Sequence, residues 1–514
     1  MSSYEELVGA EGRRVFYRAQ RYKAQELFHE NMPDVEVGDV ALTLFDFSLS
    51  GIAALADRTV ECWDEAGAEV PVHIRLGEAT LHKGRGRICR VEASPFGTKI
   101  AVSLTSGHLD VSRIMATHEK LSLERELDGG REAAAERVDP EYRRVCADVL
   151  HLLRRYSSAL ARLDGKGNRQ TLADDAGSAE ALSLCEERML PEWQGLWYRA
   201  NELVDPVMKD PEALKATKRF TELVLTPEFM AGPIWRRCYE KPLGYPGDFE
   251  VMNYVYAWRH QGETVFGRLL HRIGLHAMEC VTSRMVAMQQ TIAEVVAAKP
   301  GSAPARITNV GCGPAQEVAN YLQLKSLPRP VEFTLIDQDH DALSHAYQHI
   351  YPEVVRLGGH ARVQCLHVSF NELFRAGQLF REIPPQDLIY GVGLFDYLML
   401  RRARTLVATL FERLAPGGSL VVGNVKAAPT SGLWPTEFIC DWSMIHRSKA
   451  EMYELAEGLD PSMMEIKSDR TGHVYLLCLR KPKDWEEVLK RREPRAAPAT
   501  PPLERLPARP GNGP

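Results

Sequence analysis

The chain has 514 residues, too many for one hydrophobic core, so we expect roughly two to four domains. Its 45% hydrophobic and 26% charged residues are ordinary for a soluble globular protein, and its net charge of −6 gives no general attraction to nucleic acid or anionic membranes. No run of about 18 apolar residues predicts a membrane span, and the ten cysteines form no CxxC pair, which argues against a zinc site or a disulfide framework.

The N-terminal part of the chain is predicted to be rich in strands. Residues 1–14 contain no apolar h-region, so we expect no signal peptide and a cytoplasmic location. Short apolar runs such as VALTLFDF, PVHIRL and TKIAVSL alternate with turn signals up to residue 115. Several short strands at this spacing predict a small β-barrel over residues 1–115.

Two polar motifs lie in this first domain. They are an RxxxR pair with a further arginine three residues on, and a DxSxxG turn: Arg14, Arg18, Arg21, Asp46, Ser48 and Gly51. In this order they resemble the PilZ domain, which binds cyclic di-GMP. The resemblance implies arginines that bind phosphate and stack on guanine, and an aspartate that accepts hydrogen bonds from guanine. Each motif alone also fits a solvated helix face or an ordinary turn, and the arginine pair can lie on either side of Arg18.

Residues 116–300 are predicted to form a helical linker that also covers an active site. The stretch EYRRVCADVLHLLRRYSSALARL has apolar residues at helical spacing. Further on, a Gly-Tyr-Pro-Gly-Asp turn presents Tyr245 and Asp248. Asp248 can simply cap the next helix. The functional alternative is that the turn closes over a cofactor or substrate.

The most informative motif is ITNVGCGPAQEVANYL, an apolar strand that runs into Gly311 and Gly313 and then into a helix. The next strand, VEFTLIDQD, carries Asp337 at its end. A glycine turn lets backbone approach a ligand closely, and an acidic residue at this place can bind both hydroxyls of a ribose. The glycine pattern stops after two members, which suits S-adenosylmethionine better than the pyrophosphate of a dinucleotide.

Three later strands, Arg362–Phe370, Asp387–Leu398 and Leu414–Val425, alternate with helical patterns. They predict a Rossmann-like α/β domain with a mostly parallel sheet over residues 301–485. The order of motifs resembles class I methyltransferases, although Asn309 stands where an acidic residue is common. The resemblance implies an S-adenosylmethionine site formed by Asn309, Gly311, Gly313, Asp337, Ser369, Phe370 and Gly391. A doubly wound domain with another ligand is the alternative.

The Gly-Tyr-Pro-Gly-Asp turn with the downstream Gly-Cys-Gly resembles bacterial proteins assigned to biosynthesis of 3-hydroxypalmitic acid methyl ester, a quorum signal. The resemblance implies methyl ester formation on a hydroxy fatty acid, and a carboxylate acceptor needs no general base. Candidates for the acceptor site are Tyr245, Asp248, Tyr397 and Arg447, with His446 and Asp396 beside them. Other acceptors, a small molecule or a protein, fit the same motifs. A catalytically silent fold that acts as a cyclic di-GMP effector is a further alternative.

The last residues, 486–514, are rich in proline and arginine and are predicted to be disordered. With both modules in one chain, we expect cyclic di-GMP to change the rate of methyl transfer. The sequence gives neither the sign of this change nor the oligomeric state, a homodimer included. It predicts no metal site.

Overall fold

The computed structural model describes residues 21–28, 32–56, 67–94, 97–129, 137–164, 176–373, 383–485 and 487. The chain divides into two compact units, Met1–Glu136 and Arg137–Pro514. Arg14, Arg18 and the predicted disordered tail from residue 488 onward lie outside the described residues. Within the described ranges, no helix combines the length and the apolar character that crossing a membrane requires. The predicted limits of the four domains stay predictions.

The first unit is a closed antiparallel barrel. Its strands are β1 (Tyr22–Lys23), β2 (Asp34–Val37), β3 (Val40–Ser48), β4 (Gly51–Ala56), β5 (Glu69–Leu76), β6 (Ala79–Ser94) and β7 (Gly97–Leu104), and its helices are α1 (Ala24–Phe28) and α2 (Val111–Gly129). Six strands follow one another in the order β3-β2-β5-β6-β7-β4, and pairing of β4 with β3 closes the ring. Alternate residues such as Val72, Ile74 and Leu76 fill the interior. The predicted barrel is confirmed.

The second unit begins with helices: α3 (Pro140–Asp164), α4 (Ala176–Val204), α5 (Pro211–Val224), α6 (Thr226–Phe229), α7 (Pro233–Glu240), α8 (Phe249–Ala257), α9 (Val265–Ala277) and α10 (Glu279–Ala298). The apolar residues at helical spacing in α3, among them Val145, Val149 and Leu153, are buried in a shared core. That core also contains Trp193 and Trp434, although Trp434 lies far along the chain, after the strand Leu414–Val425. The helical region and the later part of the sheet domain therefore share one core.

A seven-stranded sheet follows, with strands β8 (Ala305–Val310), β9 (Val331–Asp337), β10 (Ala361–His367), β11 (Gln386–Gly391), β12 (Leu414–Val425), β13 (Met464–Ser468) and β14 (Val474–Arg480). Its helices are α11 (Gln316–Leu322), α12 (His340–Leu357), α13 (Phe370–Leu373), α14 (Leu400–Glu412) and α15 (Lys449–Glu454). The spatial order is β10-β9-β8-β11-β12-β14-β13. Strands β8 to β12 pair in parallel, whereas β14 is antiparallel to both of its neighbours. The sheet predicted as mostly parallel is thus mixed, because a final hairpin extends one edge.

Helices cover both faces of this sheet. Side chains alternate across a strand, so neighbouring residues belong to different cores. In β9, Leu335 packs in the core that contains α10, α11 and α12, and Ile336 packs in the core that contains α14 and α15. Leu388 and Ile389 of β11 divide in the same way. Burial on both faces explains why these strands are continuous apolar runs in the sequence.

Candidate functional site

The strand order reverses between β8 and β11. Strands β9 and β10 lie beyond β8 toward one edge of the sheet, and β12 lies beyond β11 toward the other edge. At such a switch point the connections leave toward opposite faces, and a crevice opens beyond the carboxyl ends of the strands. A cavity of about 370 Å³ lies there. Its walls are the residues that follow β8, β9 and β11, parts of α8 and α10, and the segment between β12 and α15. We call it the central cavity.

The glycine turn after β8 forms one wall of the central cavity. Gly311 and Gly313 have φ values of 69° and 52°, a region that favours glycine. The Gly311 N–H donates to the carbonyl of Ile336 over 2.8 Å, and the Gly313 N–H donates to Oδ2 of Asp337 over 2.8 Å. A side chain at position 311 would place its Cβ 3.3 Å from the Cβ of Leu394. The turn is therefore held against β9 with little room above it.

Asp337 ends β9 at the edge of the same cavity. Its Oδ1 accepts the N–H of Asp339 over 3.0 Å, in addition to the bond from Gly313 on Oδ2. Burial raises the pKa of this carboxyl, although the backbone hydrogen bonds act in the opposite direction. A buried carboxylate of this kind gains from further donors, and the two hydroxyls of a ribose would supply them.

A buried acidic group lies next to Asn309. The amide of Asn309 donates to Oε1 of Glu317 over 2.8 Å, and the Tyr390 hydroxyl donates to the same oxygen over 2.8 Å. The other carboxylate oxygen, Oε2, takes part in neither bond. Burial raises the pKa of Glu317, and these two donors lower it. Glu317 lines the central cavity, so the site has a carboxylate close to the position where the glycine motif lacks one. It stands in the first turn of α11, four residues after Gly313, and the sequence reasoning missed it.

The structure separates the two candidates on the Gly-Tyr-Pro-Gly-Asp turn. Tyr245 lines the central cavity, and its hydroxyl donates to Oδ2 of Asp339 over 2.6 Å. Asp248 instead caps α8 by accepting the N–H groups of Glu250 and Val251, and both its oxygens accept from Nε of Arg237 over 2.9 Å. Its side chain is only 1% exposed. Asp248 is therefore the N-cap of α8, and it does not line the cavity.

Two predicted cofactor residues, Ser369 and Gly391, are not among the described residues that line the cavity. Strand β10 ends at His367, two residues before Ser369, and the backbone N–H and hydroxyl of Ser369 both donate to Glu372. The side chain of Phe370 lies outside the described residues. Gly391 allows close packing, since a Cβ there would lie 3.1 Å from the carbonyl oxygen of Val310. Its neighbours Val392 to Leu394 form the wall instead.

The candidates after β11 and β12 also differ in position. Tyr397 lines the central cavity, and its hydroxyl accepts the indole N–H of Trp442 over 2.9 Å. Arg447 is buried and donates to the carbonyl groups of Phe395 and Leu398 and to the side chain of Asn424. It holds the segment after β11 against β12, and the structure does not bring its guanidinium to the cavity.

Two further lining side chains bear on the chemistry. Burial lowers the pKa of His446 to about 4, so its imidazole is neutral near pH 7. Arg284 of α10 has a side chain that is 13% exposed, and its Nη1 lies 3.7 Å from Oδ2 of Asp396. The helix carrying Arg284 precedes the sheet, and no local motif marks this position, so sequence reasoning could not find it.

The central cavity carries an excess of acidic groups. Among the described residues that line it, Glu317, Asp337 and Asp396 are acidic and Arg284 is the only lysine or arginine. All three carboxyl groups are buried. With every group ionised, negative charges exceed positive charges by two, which disfavours ligands rich in phosphate. Among the described residues, no group of three or more His, Cys, Asp or Glu side chains could hold a metal ion.

In the barrel unit, the described members of the two polar motifs lie around the β3–β4 turn. The guanidinium of Arg21, about half exposed, pairs with Oδ1 of Asp46 at 2.5 Å. The hydroxyl of Ser48 is buried and donates to the carbonyl of Gly51 over 3.3 Å. A Cβ at position 51 would lie 2.8 Å from the carbonyl oxygen of Val102, so the glycine permits β4 to approach β7. Ser48 and Gly51 thus have structural roles, and Arg21 and Asp46 are joined at the surface.

Neither the family models nor the curated proteins compared with this chain give a match. Among solved structures, it is similar to a "possible exported protein" from Bordetella parapertussis, with 18% identity and a TM-score of 0.39 over 52% of this chain and 95% of the other. The N-methyltransferase NodS from Bradyrhizobium japonicum, in complex with S-adenosyl-L-homocysteine, has 18% identity and a TM-score of 0.27 over 38% of this chain and 86% of the other. Magnesium protoporphyrin IX methyltransferase from Synechocystis, with bound S-adenosylhomocysteine, has 12% identity and a TM-score of 0.29 over 39% and 84%. At these TM-scores, function has to be argued from the site itself.

Proposed function

We propose that the second unit is an S-adenosylmethionine-dependent methyltransferase whose cofactor binds in the central cavity. The observation that carries the proposal is a cavity at the switch point with a buried carboxylate at the end of β9 and a surplus of negative charge. S-adenosylmethionine combines a ribose, a cationic sulfonium and an amino acid zwitterion, so its net charge is opposite to that of the cavity. A dinucleotide would bring two phosphates into the same surroundings.

Each part of this cofactor has a candidate partner on the chain. Asp337 would bind the ribose hydroxyls, and the turn at Gly311 and Gly313 would lie against the adenosine. Glu317 would accept hydrogen bonds from the ammonium group at the amino acid end of the cofactor. It lies next to Asn309, the position where class I methyltransferases usually have an acidic residue. Bound there, the cofactor would supply an electrophilic methyl group for in-line displacement. Tyr245 would help to close the site, because its hydroxyl bond to Asp339 joins the Gly-Tyr-Pro-Gly-Asp turn to the end of β9.

The decisive experiment is calorimetric titration of the whole chain with S-adenosylhomocysteine and, separately, with NAD. We expect binding of S-adenosylhomocysteine and no heat with NAD. Tight NAD binding, or no binding of S-adenosylhomocysteine at millimolar concentration, would contradict the proposal. The second result would favour the alternative of a catalytically silent fold.

For the acceptor, we propose a hydroxy fatty acid or a similar carboxylate that is converted to its methyl ester. The support is the chemistry of the cavity wall, where Met278, Val281 and Met444 are apolar and the neutral His446 adds no charge. Such a wall suits a hydrocarbon chain. Incubation with methyl-labelled S-adenosylmethionine and a panel of acids, amines and proteins would show which class takes up label. Label in proteins alone would refute this choice.

We further propose that the barrel unit binds cyclic di-GMP and thereby changes the rate of methyl transfer. The support is the closed barrel and the half-exposed Arg21, which pairs with Asp46 near the β3–β4 turn. An arginine at this place can exchange its carboxylate partner for a phosphate. Titration with cyclic di-GMP, compared with GMP as a control for nucleotide binding in general, tests the ligand. An unchanged methylation rate at saturating cyclic di-GMP would refute the coupling.

A further inference from the structure

Arg284 has hydrogen-bonding capacity that its surroundings do not use. In the part of the chain that the structure describes, the nearest carboxylate oxygen is 3.7 Å from its Nη1, longer than a hydrogen bond. The Sδ atom of Met252, a weak acceptor, lies 4.0 Å from its Nη2. A guanidinium carries five N–H donors, and buried donors are normally satisfied. An anionic group of a ligand in the central cavity would satisfy them.

Gly393 lies close to this guanidinium in the wall of the cavity. Gly393 follows β11, and a Cβ at its position would lie 3.3 Å from Nη2 of Arg284. Any residue other than glycine would therefore crowd the nitrogen. Position 393 has no side chain to cover Nη2, and Gly393 and Arg284 both line the cavity.

Arg284 lies on the opposite side of β8 from the proposed ribose site. Asp337 ends β9, the glycine turn follows β8, and Gly393 and Asp396 follow β11, which is the next strand across the sheet. A cofactor with its ribose on Asp337 therefore has its reactive end toward β11. Arg284, beside Asp396, lies at the end of the cavity where a methyl acceptor would meet the reactive end of the cofactor.

The surface next to Arg284 is apolar. Val281 and Met285 line the cavity from the same helix, α10, and Met252 lines it from α8. A molecule with its charged end on the guanidinium would extend along these side chains. Flexible methionine side chains suit an irregular hydrocarbon body.

We propose that Arg284 binds the carboxylate of the methyl acceptor, so the acceptor is an acid with an apolar body. The inference rests on the proposed methyltransferase function and adds the residue that selects a carboxylate acceptor. In the transfer, a carboxylate oxygen forms the new bond to the methyl carbon while the carbon–sulfur bond breaks and its electron pair stays on sulfur. Carboxylate and sulfonium become a neutral ester and a neutral thioether, with no proton to remove. The ester interacts less with the guanidinium, which favours its release.

The test compares an acid with its uncharged analogue. Calorimetry on the full chain, saturated with S-adenosylhomocysteine, measures the affinities of 3-hydroxydecanoate and the matching primary amide. We expect the wild type to prefer the acid and Arg284→Gln to lose roughly 10- to 100-fold in affinity for the acid, with little change for the amide. Arg284→Lys, which keeps the charge, should recover part of the preference. Arg470→Gln is the matched control. This exposed arginine pairs with Glu279 of α10, the helix that carries Arg284, and it does not line the central cavity.

The affinity of each variant for S-adenosylhomocysteine and for 5′-methylthioadenosine, which lacks the amino acid end, completes the test. Equal affinities in wild type and Arg284→Gln support the proposal and show that the variant is folded. If Arg284→Gln weakens S-adenosylhomocysteine but not 5′-methylthioadenosine, the guanidinium binds the cofactor's own carboxylate, and the proposal is wrong. Equal wild-type affinity for acid and amide also overturns it. If the wild type binds no S-adenosylhomocysteine, the methyltransferase function itself fails.

Discussion

Replacement of Asp337 by asparagine is the sharpest test of the cofactor site. The variant keeps the shape of the side chain and removes its charge and one of its two acceptor oxygens. A ribose would bond to both oxygens, and each hydrogen bond to a charged acceptor contributes about 1.5–3 kcal/mol. Loss of one bond, and weakening of the other from a charged to a neutral acceptor, predicts about 2–4 kcal/mol, or roughly 30- to 1000-fold weaker binding of S-adenosylhomocysteine.

Stability should respond differently from binding. Burial raises the pKa of Asp337 in the folded state. The folded state thus favours the protonated carboxyl group. The free energy of unfolding therefore falls as pH rises from the pKa of Asp337 in the unfolded state toward its higher pKa in the folded state. The amide NH2 of asparagine would face one of the two backbone N–H groups that bond to Asp337, and this cost offsets the gain from removing a buried charge. At pH 7, the unfolding temperature of Asp337→Asn should therefore change little, even as the variant loses the ligand.

Calorimetry measures the binding, and thermal unfolding measured by circular dichroism gives the stability. Asp341→Asn is the matched control, because Asp341 lies in the first turn of α12 and is exposed. Wild-type affinity in Asp337→Asn would refute the ribose assignment. Loss of binding together with a large fall in unfolding temperature would refute the reasoning about burial.

Three further predictions concern other parts of the molecule. Arg14→Ala combined with Arg18→Ala should abolish cyclic di-GMP binding in a titration while leaving S-adenosylhomocysteine affinity unchanged; loss of both would contradict separate sites. Burial lowers the pKa of His271 from 6.5 to about 4, so the folded state favours the neutral imidazole. The stability that this ring contributes is present above pH 6.5 and is lost as pH falls toward 4. Chemical unfolding should show the wild type losing about 3 kcal/mol more than His271→Gln over that interval, and parallel curves would contradict this. Gly247→Ala should lower the unfolding temperature, because its Cβ would lie 2.2 Å from the ring of Trp442 at a φ of 68°.

The predictions that succeeded came from patterns within a short stretch of chain. The barrel could be predicted because its strands alternate and its turns carry Gly, Asp and Pro at short spacing. The glycine turn and Asp337 could be placed at one edge of the sheet because two adjacent strands each end in a motif residue. Their roles as cofactor ligands stay predictions. The antiparallel β14 was not anticipated, because a buried apolar run has the same appearance in either direction.

Two candidate residues that do not line the central cavity have side chains with a structural use. Asp248 has the composition of a site residue, yet its carboxylate caps a helix and pairs with Arg237. Arg447 lies on the expected segment, yet its guanidinium binds backbone carbonyl groups. Sequence position places a residue near a site, but the direction of a side chain depends on partners far away in the chain. Arg284 is the converse case, because only the packing of α10 beside the sheet brings it to the cavity.

Under the proposed function, the charge of the cavity would explain why a turn with only two glycines is enough. In a dinucleotide site, a phosphate occupies the N-terminus of the helix after the first strand, where free N–H groups and the helix dipole attract anions. Here that helix is α11, and Glu317 in its first turn already places a buried carboxylate there. A phosphate would meet this negative charge at close range, whereas an ammonium or sulfonium would be attracted by it. The third glycine of a dinucleotide motif lets helix and strand pack closely around a pyrophosphate. S-adenosylmethionine has no pyrophosphate, so its site does not need this glycine. In the proposed cofactor site, Glu317 would therefore both take the place of the acid missing at Asn309 and disfavour the competing class of cofactor.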